Sequence, residues 1–318
     1  MTASDVIEID PDGNVTLVCG GEATSNEVSK LRVSSTVLGL GSPVFNSLLA
    51  PRFAEGLELA KASHVEIPFP EDSPTDMAIV CSAMHLRHDR VPQVLTPDRV
   101  LSIAVLCDKY GCTLAIRPCS EVWVMSGLNS STPVDLGKFL TAAAILRNQD
   151  LVCRVCIQLL LKAKGSISTT VESSQFKPEY LCAKLDEHLA KLKRKLATSV
   201  EYEISKQVKP YNTHGDCPNN CTVRSKRVTS LLGQFGSTRL WPVTTSFEGE
   251  LETSLKSMEA IKTHEPIDID ECQRGYKCEE HQNTMRDCGS ALEKTASAVR
   301  AMVKGLDFAV EPSVAALA

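Results

Sequence analysis

Leu31–Phe45, LRVSSTVLGLGSPVF, is the stretch that decides the fold. Leu31 and Val33 alternate with polar neighbours, the period of a short strand. Ser42-Pro43 then reads as a helix start. The serine hydroxyl can cap free backbone N–H groups, and the proline stands where its missing N–H costs nothing. A strand followed so closely by a helix, over Val44 to Leu49, sets the style of the whole N-terminal part.

The pattern extends outward in both directions. Upstream, Ile7 and Ile9 alternate with Glu8 and Asp10, a turn follows at Pro11-Asp12-Gly13-Asn14, and Val15, Leu17 and Cys19 alternate again before Gly20-Gly21. That is the pattern of a hairpin. Downstream, Val65 and Ile67 give a fourth strand. The same capping signal then recurs: Ser73-Pro74 before Thr75 to Leu86, Thr96-Pro97 before Asp98 to Tyr110, and Thr132-Pro133 before Val134 to Leu146. Asp76 and Asp135 at the third helical positions favour the positive end of the helix dipole. Strands first, then helices, with one return strand near His64 to Ile67, is an α+β order.

Beyond Trp123 the character turns helical. Leu136, Phe139, Leu140, Ala143 and Leu146 recur at helical spacing. Gly165 to Ser174 is rich in Ser and Thr and reads as a linker. Glu179 to Ser205 is a charged helix with Leu185, Leu189, Leu192 and Leu196 on one face. That face is too short for a coiled coil and suits a helix packed on its neighbours. Residues 206–227 are polar, and Val228 to Phe235, Glu248 to Lys262 and Ser290 to Val303 look helical. No internal repeat is visible.

Composition narrows the function classes. A net charge of -5 supplies no basic field for nucleic acid or anionic lipid, so neither is an expected partner. Met1 to Asp10 is acidic and does not read as a secretory leader, and the longest apolar runs, such as Cys156 to Leu161, are far short of a membrane span. The expectation is an intracellular chain, cytoplasmic or nuclear. Thirteen cysteines in a reducing compartment are not a disulfide framework. Cys19, Cys81, Cys107, Cys153 and Cys156, in apolar context, read as small core residues.

The ordered series of N-terminal segments resembles the BTB/POZ family. Val15 to Gly21 is similar to its second strand, and Leu31 to Phe45 to its strand–helix–helix passage ending in S-P-V-F. Phe53-Ala54-Glu55-Gly56 is similar to the family's F-x-E-G, and Val65 to Asp72 (VEIPFPED) to the strand and acidic turn that follow. His85 to Pro92 and Ala104 to Gly111 (AVLCDKYG) resemble its late helices, and Trp123 its closing aromatic. The helical stretch Asp135 to Leu161, with Leu240-Trp241-Pro242 and Gly305-Leu306-Asp307, is similar to fungal BTB proteins. The resemblance implies an α+β BTB/POZ fold, a short mixed sheet flanked by a helical cluster, followed by a mainly α C-terminal region. The expected division is a BTB/POZ domain over 1–125, a helical extension packed on it over 126–165, a linker and amphipathic helix over 166–205, and a helical region with Cys/His clusters over 206–318.

What the resemblance implies about function is protein–protein contact without catalysis. Family members self-associate or bind other folds, including the N-terminal helices of cullin scaffolds in ubiquitin ligases. In cullin-binding members a hydrophobic-x-Glu motif precedes the returning strand, and Phe53 and Glu55 occupy that place. An exposed aromatic anchor beside a carboxylate suits a binding hot spot; the bland alternative is that Phe53 packs on its own domain. Many dimeric animal members carry a leading helix that swaps between partners. Here a strand is expected within the first ten residues, so a swapped dimer is not implied.

The C-terminal part carries a second candidate. Cys217 and Cys221 form one close pair and Cys278 and His281 another, with His214, Cys272 and Cys288 as alternates. Two such pairs can hold tetrahedral zinc, and four protein ligands would make it structural. Unligated cysteines and a solvated histidine explain the same spacing. A zinc-stabilised nuclear or transcriptional regulator that self-associates through the BTB domain is therefore the alternative to an adapter. Catalytic motifs are missing: Gly39-x-Gly41 lacks a third glycine, and no Walker sequence or nucleophile elbow occurs. His85, His88 and Asp89 read as a solvated helix end, and Lys191, Lys193, Arg194 and Lys195 as the wet face of a helix.

Overall fold

The computed structural model describes residues 6–21, 28–171, 177–208, 222–261 and 280–308. They fall into two compact units. The first runs to Cys156 and takes in Val171, residues 177–178 and Phe308; the second comprises Ile157–Thr170 and the described residues from Glu179 to Asp307.

The first unit is mixed α+β. Its sheet contains β1 (Val6–Glu8), β2 (Val15–Cys19), β3 (Ser29–Val33) and β4 (Val65–Phe69), in the order β1-β3-β2-β4. β2 is central because it can be buried on both faces: Val15, Leu17 and Cys19 are fully buried and Thr16 nearly so. It pairs antiparallel with β3 and parallel with β4. β4 keeps an alternating in–out pattern, and Pro68 sits on this outer strand, where its missing N–H is tolerated.

The hairpin expected between the first two strands is not formed. β1 pairs in parallel with β3, on the far side from β2. Its side chains are exposed, so burial does not draw it to the centre. The turn after β1 crosses the end of β3 instead. Ile9 and Asp10 both donate their backbone N–H to Arg32 O at 3.1 Å. Gly13 sits so close that a Cβ there would lie 2.5 Å from Val33 O.

The Leu31–Phe45 passage folds as β3, then α1 (Ser35–Gly41), then α2 (Pro43–Leu48). Ser42 is fully buried and joins two elements: its Oγ accepts from Phe45 N at 3.0 Å, capping α2, and donates to Tyr110 O. α3 (Ala54–Lys61) leads into β4. All four Ser/Thr-Pro starts head helices. After α2 come α4 (Pro74–Met84) and α5 (Pro97–Lys109), then α6 (Thr113–Gly127) and α7 (Pro133–Ile145). The caps of α4, α5 and α7 are Ser73, Thr96 and Thr132, and Thr132 forms a full capping box with Asp135. Asp76 does more than serve the dipole. It is buried, accepts from Ser102 Oγ at 2.6 Å and lies 2.6 Å from Arg99 Nε, tying α4 to α5.

One segment differs from expectation, and one helix carried no sequence reading. His85 to Pro92 holds only the 3₁₀ turn His88–Arg90, not a helix. Its arginines fasten the edge strand: Arg87 donates to Ile9 O at 3.1 Å and Arg90 to Glu8 O at 2.6 Å. α6 has Pro118 inside it, on an exposed position, and its helical run is broken as a sequence signal for that reason. An aromatic cluster closes the core beneath α2, with Phe45 stacked on Tyr110 at 4.8 Å and both edge-on to Phe69. α7 packs on α5, and Lys138 reaches Asp98 at 2.7 Å. α8 (Gln149–Lys162) starts in this unit, with Asn148 buried at its head.

The second unit is helical: α9 (Ile167–Thr170), α10 (Glu179–Val208), α11 (Thr222–Ser237), α12 (Val243–Ser246), α13 (Leu251–Glu259) and α14 (Glu280–Lys304). Leu185, Leu189, Leu192 and Leu196 are buried as expected, and the stripe continues to Val200. α10 packs on α14, whose Cys288, Leu292, Ala296, Val299 and Val303 repeat at the matching spacing. The linker expected over Gly165 to Ser174 is ordered through Val171; residues 172–176 lie outside the described ones. Asp186 is the reason, because it accepts from Ile167 N at 2.5 Å, Ser168 N at 3.1 Å and Ser166 Oγ at 2.8 Å. Those bonds hold the Asp186 carboxyl below its usual range against the opposing effect of burial. Arg300 clamps α14 to α13 through Glu252 at 2.6 Å and Glu259 at 2.9 Å. Among the described residues no helix is long and apolar enough to cross a membrane.

Candidate protein-interaction site

Phe53 begins α3 from its N-cap position, with extended backbone angles and no side-chain cap. The chain reaches it by a tight turn in which Phe53 N donates to Ala50 O at 3.3 Å. Its own carbonyl accepts from Leu57 N at 2.9 Å, the first helical bond. Gly56 makes this seat feasible. A Cβ there would fall 1.9 Å from Ala50 O, so the start of α3 lies flat on the preceding turn.

The result is an aromatic ring left in water. Phe53 is 51% exposed and Leu57, one turn on, is 44% exposed. Residues four apart share a helix face, so the two form one apolar strip. Glu55 is half-buried in the first turn, where its charge suits the positive end of α3. With half of its surface open to solvent, Phe53 is not a core residue of its own domain. Leu57 was not singled out by sequence; its i+4 relation to Phe53 was the available signal.

A second group of exposed apolar side chains lies elsewhere on the first unit. Leu40 is 85% exposed, Val44 41% and Leu114 78%. Val44 lies beside Gly111, and Gly41 beside Ala115, which brings the ends of α1 and α2 to the start of α6.

His88 and Asp89 are exposed as expected, but His85 is not a solvated helix end. His85 is half-buried, and its Nδ1–H donates to Cys81 O at 2.8 Å while Nε2 accepts from Ser34 N at 3.0 Å. A carbonyl can only accept and an amide N–H only donate, so these partners fix a neutral tautomer. Burial lowers its pKa from the ordinary 6.5. The unfolded chain therefore takes up this proton first as pH falls. Stability is complete above about pH 6.5 and declines below it until the folded histidine also protonates. Thermal melts should show the first unit less stable at pH 5.5 than at pH 8, with a smaller drop for His85→Gln; an equal drop in that variant would refute the assignment.

The zinc candidates Cys217, Cys221 and Cys278, with His214 and Cys272, lie outside the described residues, as does the side chain of His281. Cys288 is described. It sits in the buried stripe of α14, and burial pushes its thiol up to about 12. Among the described residues no group of three or more His, Cys, Asp or Glu could hold a metal ion. Cys19, Cys81, Cys107 and Cys156 are core residues as read, with Cys19 also raised to about 12 by burial, while Cys153 is only half-buried.

No family model matches the chain, and no curated protein matches it.

Proposed function

We propose that this chain is a non-catalytic adapter of BTB/POZ type, which binds a protein partner through Phe53, Leu57 and Glu55. The observation that carries the reading is the exposed Phe53–Leu57 strip with a carboxylate beside it. Apolar anchors of this kind dominate interfaces when a partner removes them from water. The small mixed sheet and the β3–α1–α2 passage also agree with what the sequence resemblance implies.

In its specific form, the partner is the N-terminal helical region of a cullin scaffold, and the adapter is a substrate receptor of a ubiquitin ligase. Purified chain should retain a cullin N-terminal fragment in a pull-down. Phe53→Ala should weaken that capture by about 30-fold, the value of a central hot spot near 2 kcal/mol. Glu55→Ala should weaken it too, with helix content unchanged. Capture unaffected by both variants, or none by the unaltered chain, would reject the cullin form.

Self-association is a second reading, favoured by exposed Leu40, Val44 and Leu114. It expects a dimer in sedimentation that Leu114→Asp dissociates. A monomer at all concentrations rejects it.

A further inference from the structure

The second unit contains an open cavity of about 340 Å³ that the adapter reading does not use. Its wall is built where the chain leaves α11, turns through α12 and enters α13. Arg239 and Trp241 line it from the turn between α11 and α12, and Glu250, Thr253 and Ser257 from the start of α13. The volume suits a ligand the size of one sugar ring, at the small end of ligand pockets.

The polar groups here are not consumed by the fold. Arg239 forms no ion pair and its side chain no hydrogen bond among the described residues. Its backbone has φ 58°, in the left-handed region where helix ends ordinarily place glycine. The same left-handed turn ends α4 at Leu86 and α7 at Arg147, so at Arg239 it closes α11 and leaves the guanidinium uncommitted at the cavity wall. Glu250 occupies the N-cap of α13 but its side chain makes no capping bond. Its nearest cation, Lys164, is 3.7 Å away and 77% exposed, so the carboxylate keeps its acceptor capacity. Thr253 and Ser257, one turn apart on α13, add two hydroxyls. Trp241 leaves its indole 49% exposed, a flat apolar platform at the edge of this polar set.

We propose that this cavity binds the pyranose ring of a neutral saccharide. One face of such a ring is a patch of C–H groups, which would lie on the Trp241 indole. Its hydroxyls both donate and accept, matching a carboxylate acceptor, a guanidinium donor and two amphoteric hydroxyls at once. The charges decide against a simple anion or a simple cation. An anion would face Glu250 and a cation would face Arg239, whereas a neutral polyhydroxylated ring uses both.

Titration of the full chain with methyl pyranosides, followed by indole fluorescence, tests the proposal. Trp123 is 1% exposed, so a saturable change reports on Trp241. A dissociation constant of about a millimolar is expected for a ligand of roughly a dozen heavy atoms. Arg239→Gly should weaken binding at least about tenfold while raising the thermal midpoint, because glycine relieves the left-handed backbone. Gly249→Met should block the mouth without unfolding, since nothing lies within 4 Å of a Cβ there. The same pyranosides linked to serine in a short peptide tell a free sugar from a protein-borne one: tighter binding of the peptide form supports the latter, equal binding the former. No saturable response to any pyranoside, binding unaltered in both variants, or a response only to inorganic phosphate or acidic peptide would overturn the proposal.

Discussion

Trp123→Ala should unfold the first unit under conditions where the unaltered chain is folded. Trp123 is the largest fully buried side chain, 1% exposed, and its Nε1–H donates to Pro92 O at 2.6 Å. Truncation removes an entire bicycle from the buried face of α6 and leaves a cavity that the close-packed surroundings can only partly fill. Deleting a buried aromatic costs about 3–5 kcal/mol. The stranded Pro92 carbonyl adds about 1–3 kcal/mol if water does not reach it. Total stability for a domain is about 5–15 kcal/mol, so the loss spans from a large fraction to nearly all of it. Urea unfolding followed by circular dichroism measures it. Trp123→Phe keeps most of the volume and forfeits the hydrogen bond, so it should fall between. A loss below about 1 kcal/mol for the alanine variant would mean the ring is not a keystone of α6.

The parts of this fold that were legible in sequence are those encoded locally. Ser42, Ser73, Thr96 and Thr132 each cap the helix that the following proline starts, because cap and first turn lie within three residues of each other. Leu185 to Leu196 announced the buried face of α10 because helical period alone determines it. Strand pairing was not legible in the same way. β1 and β2 carry a turn between them that suits a hairpin, yet β1 joins β3, and that choice depends on which strands are buried on both faces. α6 was hidden by Pro118, and the order of Ser166 to Thr170 by a carboxylate, Asp186, that arrives from a different helix.

The candidate site was legible in part for the same reason. Phe53 and Glu55 were visible as a motif, but exposure decides whether an aromatic is anchor or core, and exposure is a tertiary property. Leu57 became part of the site only once α3 placed it one turn beyond Phe53. Arg239 shows the opposite case. The role proposed for it depends on a place at a cavity wall and an uncommitted guanidinium, and residue type reveals neither.

The second large effect is expected from Gly56→Ala, where two local rules conflict. Alanine is the better helix former, and in an exposed helix the change would stabilise by about 1 kcal/mol. At Gly56 the added methyl would lie 1.9 Å from Ala50 O, 2.4 Å from Ala50 C and 2.8 Å from Leu49 C. These are backbone atoms, so no rotamer change relieves the overlap. α3 must retreat from the turn by more than an ångström, carrying Phe53 and Leu57 with it. Overpacking of this kind costs about 1–3 kcal/mol, which exceeds the propensity gain. Gly56→Ala should therefore lower stability by up to about 2 kcal/mol, and weaken partner capture by more than that loss of folded chain explains. Gly233→Ala is the control. Gly233 lies within α11 with nothing within 4 Å of a Cβ, so the same substitution there should raise stability. Opposite signs from one chemical change would locate the constraint in the seat of α3. Equal, favourable effects at both positions would mean that α3 moves freely and that Phe53 is not held in place by its turn.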